Sequence, residues 1–259
     1  MKLELLNKKG EELNVLVKGA NPMYMNTLRR AMISEVPVMA IEKLEIRKNS
    51  SALYDEIVGH RLGLLSLKTD LKTYSEKTTC KCKGAGCASC ELVMTLQAKG
   101  PCIIYASDIK SKDPKVVPTY PKTPIVKLLE NQEVEIEMTA VLGRGKEHTK
   151  WSPCLSYYRL FPKISAKDAP NRDAIVESCP VDIFELKSGK LTVNDKKIKE
   201  CILCNACTET SDTVKVETKD EYLLTIESFG QLSPKDILEN AIEQLNQQFD
   251  EVGKLVKAA

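Results

Sequence analysis

Three cysteines fall within seven residues, Cys201-Ile-Leu-Cys204-Asn-Ala-Cys207, and Cys179-Pro180 lies upstream. Four thiolates that converge on one centre force the intervening chain to fold back on itself. This group therefore constrains the fold more than any other feature of the chain. Two residues between thiolates suit neighbouring corners of an iron–sulfur cube, and a remote Cys-Pro closes the fourth corner. Zinc sites more often use two separated Cys-x-x-Cys pairs than a triplet. The plainer alternatives for Cys179, Cys201, Cys204 and Cys207 are a zinc ion or no metal.

The comparison with two-cluster ferredoxins sharpens this reading. Their C-x2-C-x2-C-x3-C-P run occurs twice, and the fourth cysteine of one run serves the other cluster. Counting back from Cys179 at that spacing lands on Ile175, Arg172 and Ala169, and counting forward from Cys207 lands on Ser211. None of the first three binds iron. One complete ligand set remains, so the segment from about 165 to 217 resembles a ferredoxin fold carrying a single [4Fe-4S] cluster, with a three-iron form reached by loss of one iron. A lone cube relays no electrons within its own chain, which favours a structural role. A redox-sensing role is the competing reading.

A second group, Cys80-Lys-Cys82-Lys-Gly-Ala-Gly-Cys87-Ala-Ser-Cys90, places four cysteines in eleven residues around a glycine-bearing turn. Four thiolates at this spacing surround a tetrahedral Zn²⁺ and leave no open coordination position. The favoured reading is a structural zinc knuckle. A second iron–sulfur cluster and a metal-free loop are its rivals. Ten cysteines in a chain that starts Met1-Lys2-Leu3-Glu4, without a signal-peptide pattern, fit metal ligation in a reducing cytoplasm better than disulfides. Cys102 and Cys154 stand outside both groups and read as small buried hydrophobes.

The remaining sequence alternates strand and helix signals, an α+β pattern. Leu3-Glu4-Leu5 and Leu13 to Val17 flank a polar turn and predict a hairpin. Asn21 caps a helix with Pro22 at its first position, and Met25, Leu28 and Met32 recur at helical spacing until Val36-Pro37 stops it. Strands are expected at Ile41–Ile46, Leu92–Ala98, Val134–Ala140 and Tyr222–Glu227, with an extended proline-rich loop over Pro114–Pro124. The stretch Phe184–Val193 turns at Ser188-Gly189. Ser233-Pro234-Lys235-Asp236 opens a final helix. Along it Leu238, Ile242, Leu245, Phe249, Val252 and Val256 step by four and three, a heptad seam. Periodicity alone leaves two readings open: a helix folded onto its own domain, or an interface with another polypeptide.

The chain has 259 residues, room for more than one domain, with 42% hydrophobic and 29% charged residues. Its net charge of +2 speaks against wholesale coating of nucleic acid. The basic run Arg144, Lys146, His148, Lys150 reads as a solvated or protein-contacting loop before a phosphate site. Gly143-Arg144-Gly145 lacks the Gly-Lys-Ser/Thr of a phosphate loop. His60 and His148 are the only histidines, and neither belongs to a serine–acid constellation. No aspartate cluster suits paired catalytic Mg²⁺ ions. No catalytic residue is assigned.

Four further blocks stand in one order. They are Asn26-Thr-Leu-Arg29-Arg30 with Ser34-Glu-Val-Pro37, Asp55-Glu-Ile-Val-Gly-His-Arg-Leu-Gly-Leu-Leu65, Gly143-Arg-Gly145 with His148 and Trp151-Ser-Pro153, and Glu227-Ser-Phe-Gly230 leading into the seam. Together they resemble the α-type assembly subunits of cellular RNA polymerases. The ferredoxin-like insertion beside a cysteine knuckle is similar to the archaeal D-type branch. The resemblance implies a discontinuous dimerisation domain, residues 1–49 with 218–259. It further implies an inserted β-rich domain over 50–164 carrying the knuckle at 79–91, and a ferredoxin-like iron–sulfur domain over 165–217.

The implied function is a non-catalytic scaffold of a nucleotidyltransferase complex. Met25, Leu28, Arg29 and Arg30 and the seam residues would face the small subunit L. Subunits N and P and the B-type second-largest subunit would join the platform, and DNA would be met only through the holoenzyme, away from any membrane. The rival class, a ferredoxin-type electron carrier or oxidoreductase subunit, explains the 165–217 segment and leaves the four blocks and the seam without a purpose.

Overall fold

The computed structural model describes residues 1–258, with Lys219 described through its backbone alone. It is a mixed α+β fold. In chain order the elements are β1 (Lys2–Lys9), β2 (Glu12–Lys18), α1 (Pro22–Ser34), β3 (Val38–Asn49), α2 (Asp55–Gly63), β4 (Leu92–Lys99), β5 (Cys102–Tyr105), β6 (Lys110–Ser111), β7 (Pro124–Leu128) and β8 (Glu133–Gly143). They continue with β9 (Cys154–Ala166), α3 (Arg172–Ser178), β10 (Phe184–Lys187), β11 (Lys190–Val193), α4 (Ala206–Thr210), β12 (Val214–Ser228) and α5 (Pro234–Ala258). The chain divides into two compact units. One comprises residues 1–8, 14–26 and 157–225, and the other 9–13, 27–156 and 226–259.

The first unit centres on a sheet ordered β1-β2-β12-β9. The expected hairpin is present, and Gly10 turns it at φ +57°, a backbone region that glycine enters without steric cost. Ser188 and Gly189, both at positive φ, turn the β10–β11 hairpin, which pairs Phe184 with Val193 and Lys187 with Lys190. Beneath it Ile175, Ile183, Phe184, Leu191 and Val214 form a small core that also takes in Cys179, Cys201 and Cys207.

The second unit carries a sheet ordered β3-β8-β4-β6 and a two-stranded sheet of β5 and β7. Strict alternation explains β8: Val134, Ile136, Met138 and Ala140 are buried while their neighbours Glu135, Glu137 and Thr139 are less so. These residues meet Met39, Ile41, Leu92, Met94 and Leu96 and the α2 residues Val58 and Leu62 in the main core. Strand β3 pairs with β8 along its whole length, from Val38↔Gly143 to Asn49↔Val134, with register shifts after Ile41 and Ile46. The boundary expected after Asn49 therefore falls at the end of a strand that belongs with the 50–164 segment rather than with the chain ends.

Both predicted helix starts carry their caps. The Tyr24 amide donates to Asn21 Oδ1 at 2.8 Å. The Asp236 amide donates to Ser233 Oγ at 3.2 Å, while that hydroxyl reaches Asp236 Oδ2 at 2.6 Å. Pro124 opens β7, where a missing amide costs least. Among the described residues no helix is long and apolar enough to cross a membrane.

Candidate functional site

The knuckle is the tighter of the two cysteine centres. Residues 70–91 hold no regular helix or strand, only successive turns. Within them Cys80 Sγ lies 3.6 Å from Cys87 Sγ, Cys82 Sγ 3.6 Å from Cys90 Sγ, and Cys87 Sγ 3.8 Å from Cys90 Sγ. Tetrahedral Zn²⁺ with ~2.3 Å bonds to sulfur sets its ligands about 3.8 Å apart. All four sulfurs lie within 4.8 Å of one another, so the donor set fits one small ion. Hydrogen bonding from Cys80, then from Cys90 and the backbone of Gly86 and Gly84, pulls Cys82 down to about 6, against the opposing effect of burial. Burial pushes Cys90 up to about 12. A dication would favour all four thiolates together, which is how such a site couples metal binding to folding.

The second quartet is built differently. Cys179, Cys201, Cys204 and Cys207 line one pocket with Ile164, Ile183, Phe184 and Val216. Three of the cysteines are buried and Cys204 is exposed. Among the described residues the knuckle alone brings three or more metal-ligating atoms within 4.8 Å of one another. The sulfurs of Cys179, Cys201, Cys204 and Cys207 therefore do not converge on one small ion as the knuckle's do. Two backbone amides donate to sulfur, Ile183 to Cys179 Sγ at 3.4 Å and Leu203 to Cys201 Sγ at 3.5 Å, the kind of bond that tunes iron–sulfur centres. Leu203 and Asn205 adopt φ of +57° and +62°, a left-handed kink that bends the ligand loop. The Arg159 guanidinium donates to the carbonyls of Cys201 and Lys199 and pins the same loop to β9. Burial, then the charges of Cys179, Cys201 and Cys204, raises the Cys207 thiol. The donor set of this apolar pocket, four cysteines, suits an iron–sulfur cluster.

The seam helix splits into two parts. Ile237 and Ala241 are fully buried and anchor the first turns of α5, with Leu238, Ile242 and Leu245 half-buried beside them. Beyond Leu245 the apolar residues emerge: Phe249 is 68% exposed, Val252 56%, Leu255 70% and Val256 71%. On α1, Met25 and Leu28 are buried within the chain at 0% and 3%. With Met32 they form the inner stripe of that helix, so they pack inside their own chain and offer no surface to a partner. Pro22, Met23, Asn26, Thr27 and Arg30 are its exposed residues, and Arg29 is half-buried.

The basic run around Arg144 is consumed at home. Arg144 pairs with Glu76 and Glu35, Lys146 with Glu35, and Lys150 with Glu42. The loop is held by two close approaches: a Cβ at Gly143 would meet the Trp151 ring at 2.4 Å, and one at Gly145 would meet the Ile33 carbonyl oxygen at 2.2 Å. Sequence reasoning missed these pairs because residues 68 and 109 positions apart leave no local pattern. Cys154, buried and pushed up to about 12 by desolvation, is an inert core thiol.

Residues 41–153 match the model of the RNA polymerase Rpb3/RpoA insert domain. The whole chain is similar to proteins named DNA-directed RNA polymerase subunit Rpo3. It is 33% identical to that of Archaeoglobus fulgidus over 98% of this chain and 97% of the relative. It is 35% identical to that of Methanosphaera stadtmanae over 97% of each. Against the Pyrobaculum arsenaticum protein it is 35% identical over 100% of this chain and 97% of the relative. With resemblance of this extent along its full length, the chain belongs to the archaeal Rpo3 family, the D-type subunits of RNA polymerase.

Proposed function

We propose that this chain is the non-catalytic assembly subunit of an archaeal DNA-directed RNA polymerase, and that it heterodimerises with the small subunit L to start recruitment of the large subunits. The observation that carries the pairing step is the exposed distal part of α5, where Phe249, Val252, Leu255 and Val256 face solvent on a helix whose first turns are already anchored. Four large apolar residues within eight positions are more than scattered surface hydrophobes need, and they fit a helix-in-groove partner. The chain ends, residues 1–37 and 218–259, would form the dimerisation platform, with Arg29 and Arg30 at its rim. The proline-rich Pro114–Pro124 loop and the Gly143–Pro153 loop would meet the B-type second-largest subunit, and subunits N and P would complete the platform.

Cys179, Cys201, Cys204 and Cys207 would hold a [4Fe-4S] cluster in the ferredoxin-like segment 165–217. Cys80, Cys82, Cys87 and Cys90 would hold Zn²⁺. A bound cluster supplies thiolate–iron bonds that cross-link residues 179 to 207. The chain's own contribution is the amide donors at Ile183 and Leu203, the Arg159 clamp and the apolar wall that covers Cys179, Cys201 and Cys207. Support for cross-linking as the main role comes from the small core of this segment, which has few large side chains besides the cysteines.

Co-expression with a small L-type subunit, purified without air, tests both parts. A stoichiometric heterodimer, brown with absorbance near ~400 nm and containing iron, sulfide and zinc, is the expected product. A monomer that exchanges electrons and ignores the small subunit would instead identify an electron carrier.

A further inference from the structure

We propose that Arg144 is a joint through which closure of the cysteine knuckle is passed to the end of α1 and the middle of α5, so that metal in the knuckle steadies the surface offered to partners. The inference rests on the zinc reading of Cys80, Cys82, Cys87 and Cys90 only for what closes the loop; the joint itself is made of other residues.

Glu76 is the knuckle's end of the joint. It sits between two ties that close the loop's base: the Ser75 amide donates to the Ser89 carbonyl at 2.8 Å, and Lys77 pairs with Glu91. The Lys77–Glu91 pair encloses all four cysteines and the Ser75–Ser89 bond encloses three of them, so the position of Glu76 follows from loop closure. Arg144 grips its carboxylate with two parallel bonds, Nε to Oε1 at 2.7 Å and Nη2 to Oε2 at 2.8 Å. Such paired bonds fix orientation as well as distance. The third arm of the guanidinium, Nη1, reaches Glu35 Oε2 at 3.4 Å.

Glu35 is the helix end. Its amide closes the last turn of α1 on the Ala31 carbonyl at 2.9 Å. Its carboxylate takes Lys146 Nζ at 3.2 Å and Gln248 Nε2 of α5 at 3.2 Å. Gly145, pressed on the Ile33 carbonyl, and the Lys146 amide bond to the Ser34 carbonyl at 3.2 Å leave the Arg144 backbone no freedom to follow a departing Glu76. The group is electroneutral, Arg144 and Lys146 against Glu35 and Glu76. The Arg144, Glu35 and Glu76 side chains are only 17–19% exposed. At that depth salt screens the pairs weakly. If the knuckle opens and Glu76 leaves, Arg144 keeps one long contact and a half-buried excess charge, which it meets by pulling on Glu35, the residue that also holds Gln248.

Hydrogen exchange on the full-length chain tests the joint, with zinc present and after chelation, in wild type and in Glu76→Gln. In wild type, chelation raises exchange of residues 31–36 and 245–250 about tenfold. In Glu76→Gln those segments already exchange faster with zinc bound, and chelation adds nothing. An equal rise in both backgrounds, no rise in wild type despite measured zinc loss, or a rise spread over the β3–β8 strands would each overturn the joint. If the wild-type chain contains no zinc, the zinc reading fails separately. Cys87→Ser with Cys90→Ser then replaces chelation as the opening step, and the same comparison with Glu76→Gln decides.

Discussion

Replacing Phe249 with alanine separates a helix that packs on its own chain from one kept for a partner. Phe249 lies 68% exposed on the distal part of α5. A phenylalanine buries ~200 Å² when fully covered, so about two thirds of that, ~130 Å², is open for a partner to cover. At ~25 cal/mol per Å² this is worth ~3 kcal/mol, or about 100-fold in Kd. The same change removes little buried surface from the isolated chain, and alanine is the better helix former, so the thermal midpoint should stay put or rise slightly. The assay is titration calorimetry of the purified chain against a small L-type subunit, paired with a thermal melt of each chain alone. A Kd within threefold of wild type would refute the reasoning, because the exposed residue would then contribute nothing to pairing. A large fall in the melting temperature of the isolated variant would refute it by another route, since Phe249 would then be serving its own fold.

Cys201→Ser should abolish absorbance near ~400 nm and open residues 165–217 to protease, while the β3–β8 sheet stays protected; retained iron and sulfide would dismiss the ligand assignment. Leu96→Ala, at a 1% exposed position in the main core, should cost about 2–5 kcal/mol and lower the urea midpoint at unchanged m-value. A hydrogen bond from Lys115, with others from Thr73 and the Lys72 amide, lowers Asp70 from its ordinary 3.8 to about 2. Because the folded value is depressed, this contribution is complete above the unfolded value and is lost as pH falls toward about 2. The Lys72 amide, which donates to Asp70 Oδ1, should therefore show a chemical-shift transition near 2 by NMR, and a midpoint near 3.8 would show that the Lys115 pair does not persist in solution.

Local chemistry was legible and distant chemistry was not. Asn21-Pro22 and Ser233-Pro234 announced both long helices because a cap is written in three or four adjacent residues. Ser188-Gly189 announced its hairpin for the same reason, and Val134 to Ala140 showed its strand by alternation. The seam was visible as a stripe, but its division was hidden: Ile237 and Ala241, just off the heptad positions, are what the chain itself buries. Met25 and Leu28 fell on the wrong side of that question, since an apolar helix face looks the same whether its own core or a second polypeptide covers it. The placement of Glu35 and Glu76 around Arg144 had no trace in the sequence. Opposite charges are common on any surface, and only the fold selects which of them meet.

The two cysteine groups occur where ordinary folding energy runs short. The main core draws on α2 and on β3, β4 and β8, whereas residues 70–91 contribute little to it beyond Tyr74 and the partly buried Leu71 and lack regular structure. The 165–217 segment closes over a core of few large side chains, Phe184 its one aromatic. A loop of some twenty residues and a domain of some fifty are each below the size at which hydrophobic burial outweighs chain entropy unaided. Thiolate–metal bonds at the two groups would offset that deficit locally, since binding free energy becomes folding free energy. What the chain offers is surface held in place, and these two segments are the ones that apolar packing alone would leave loose.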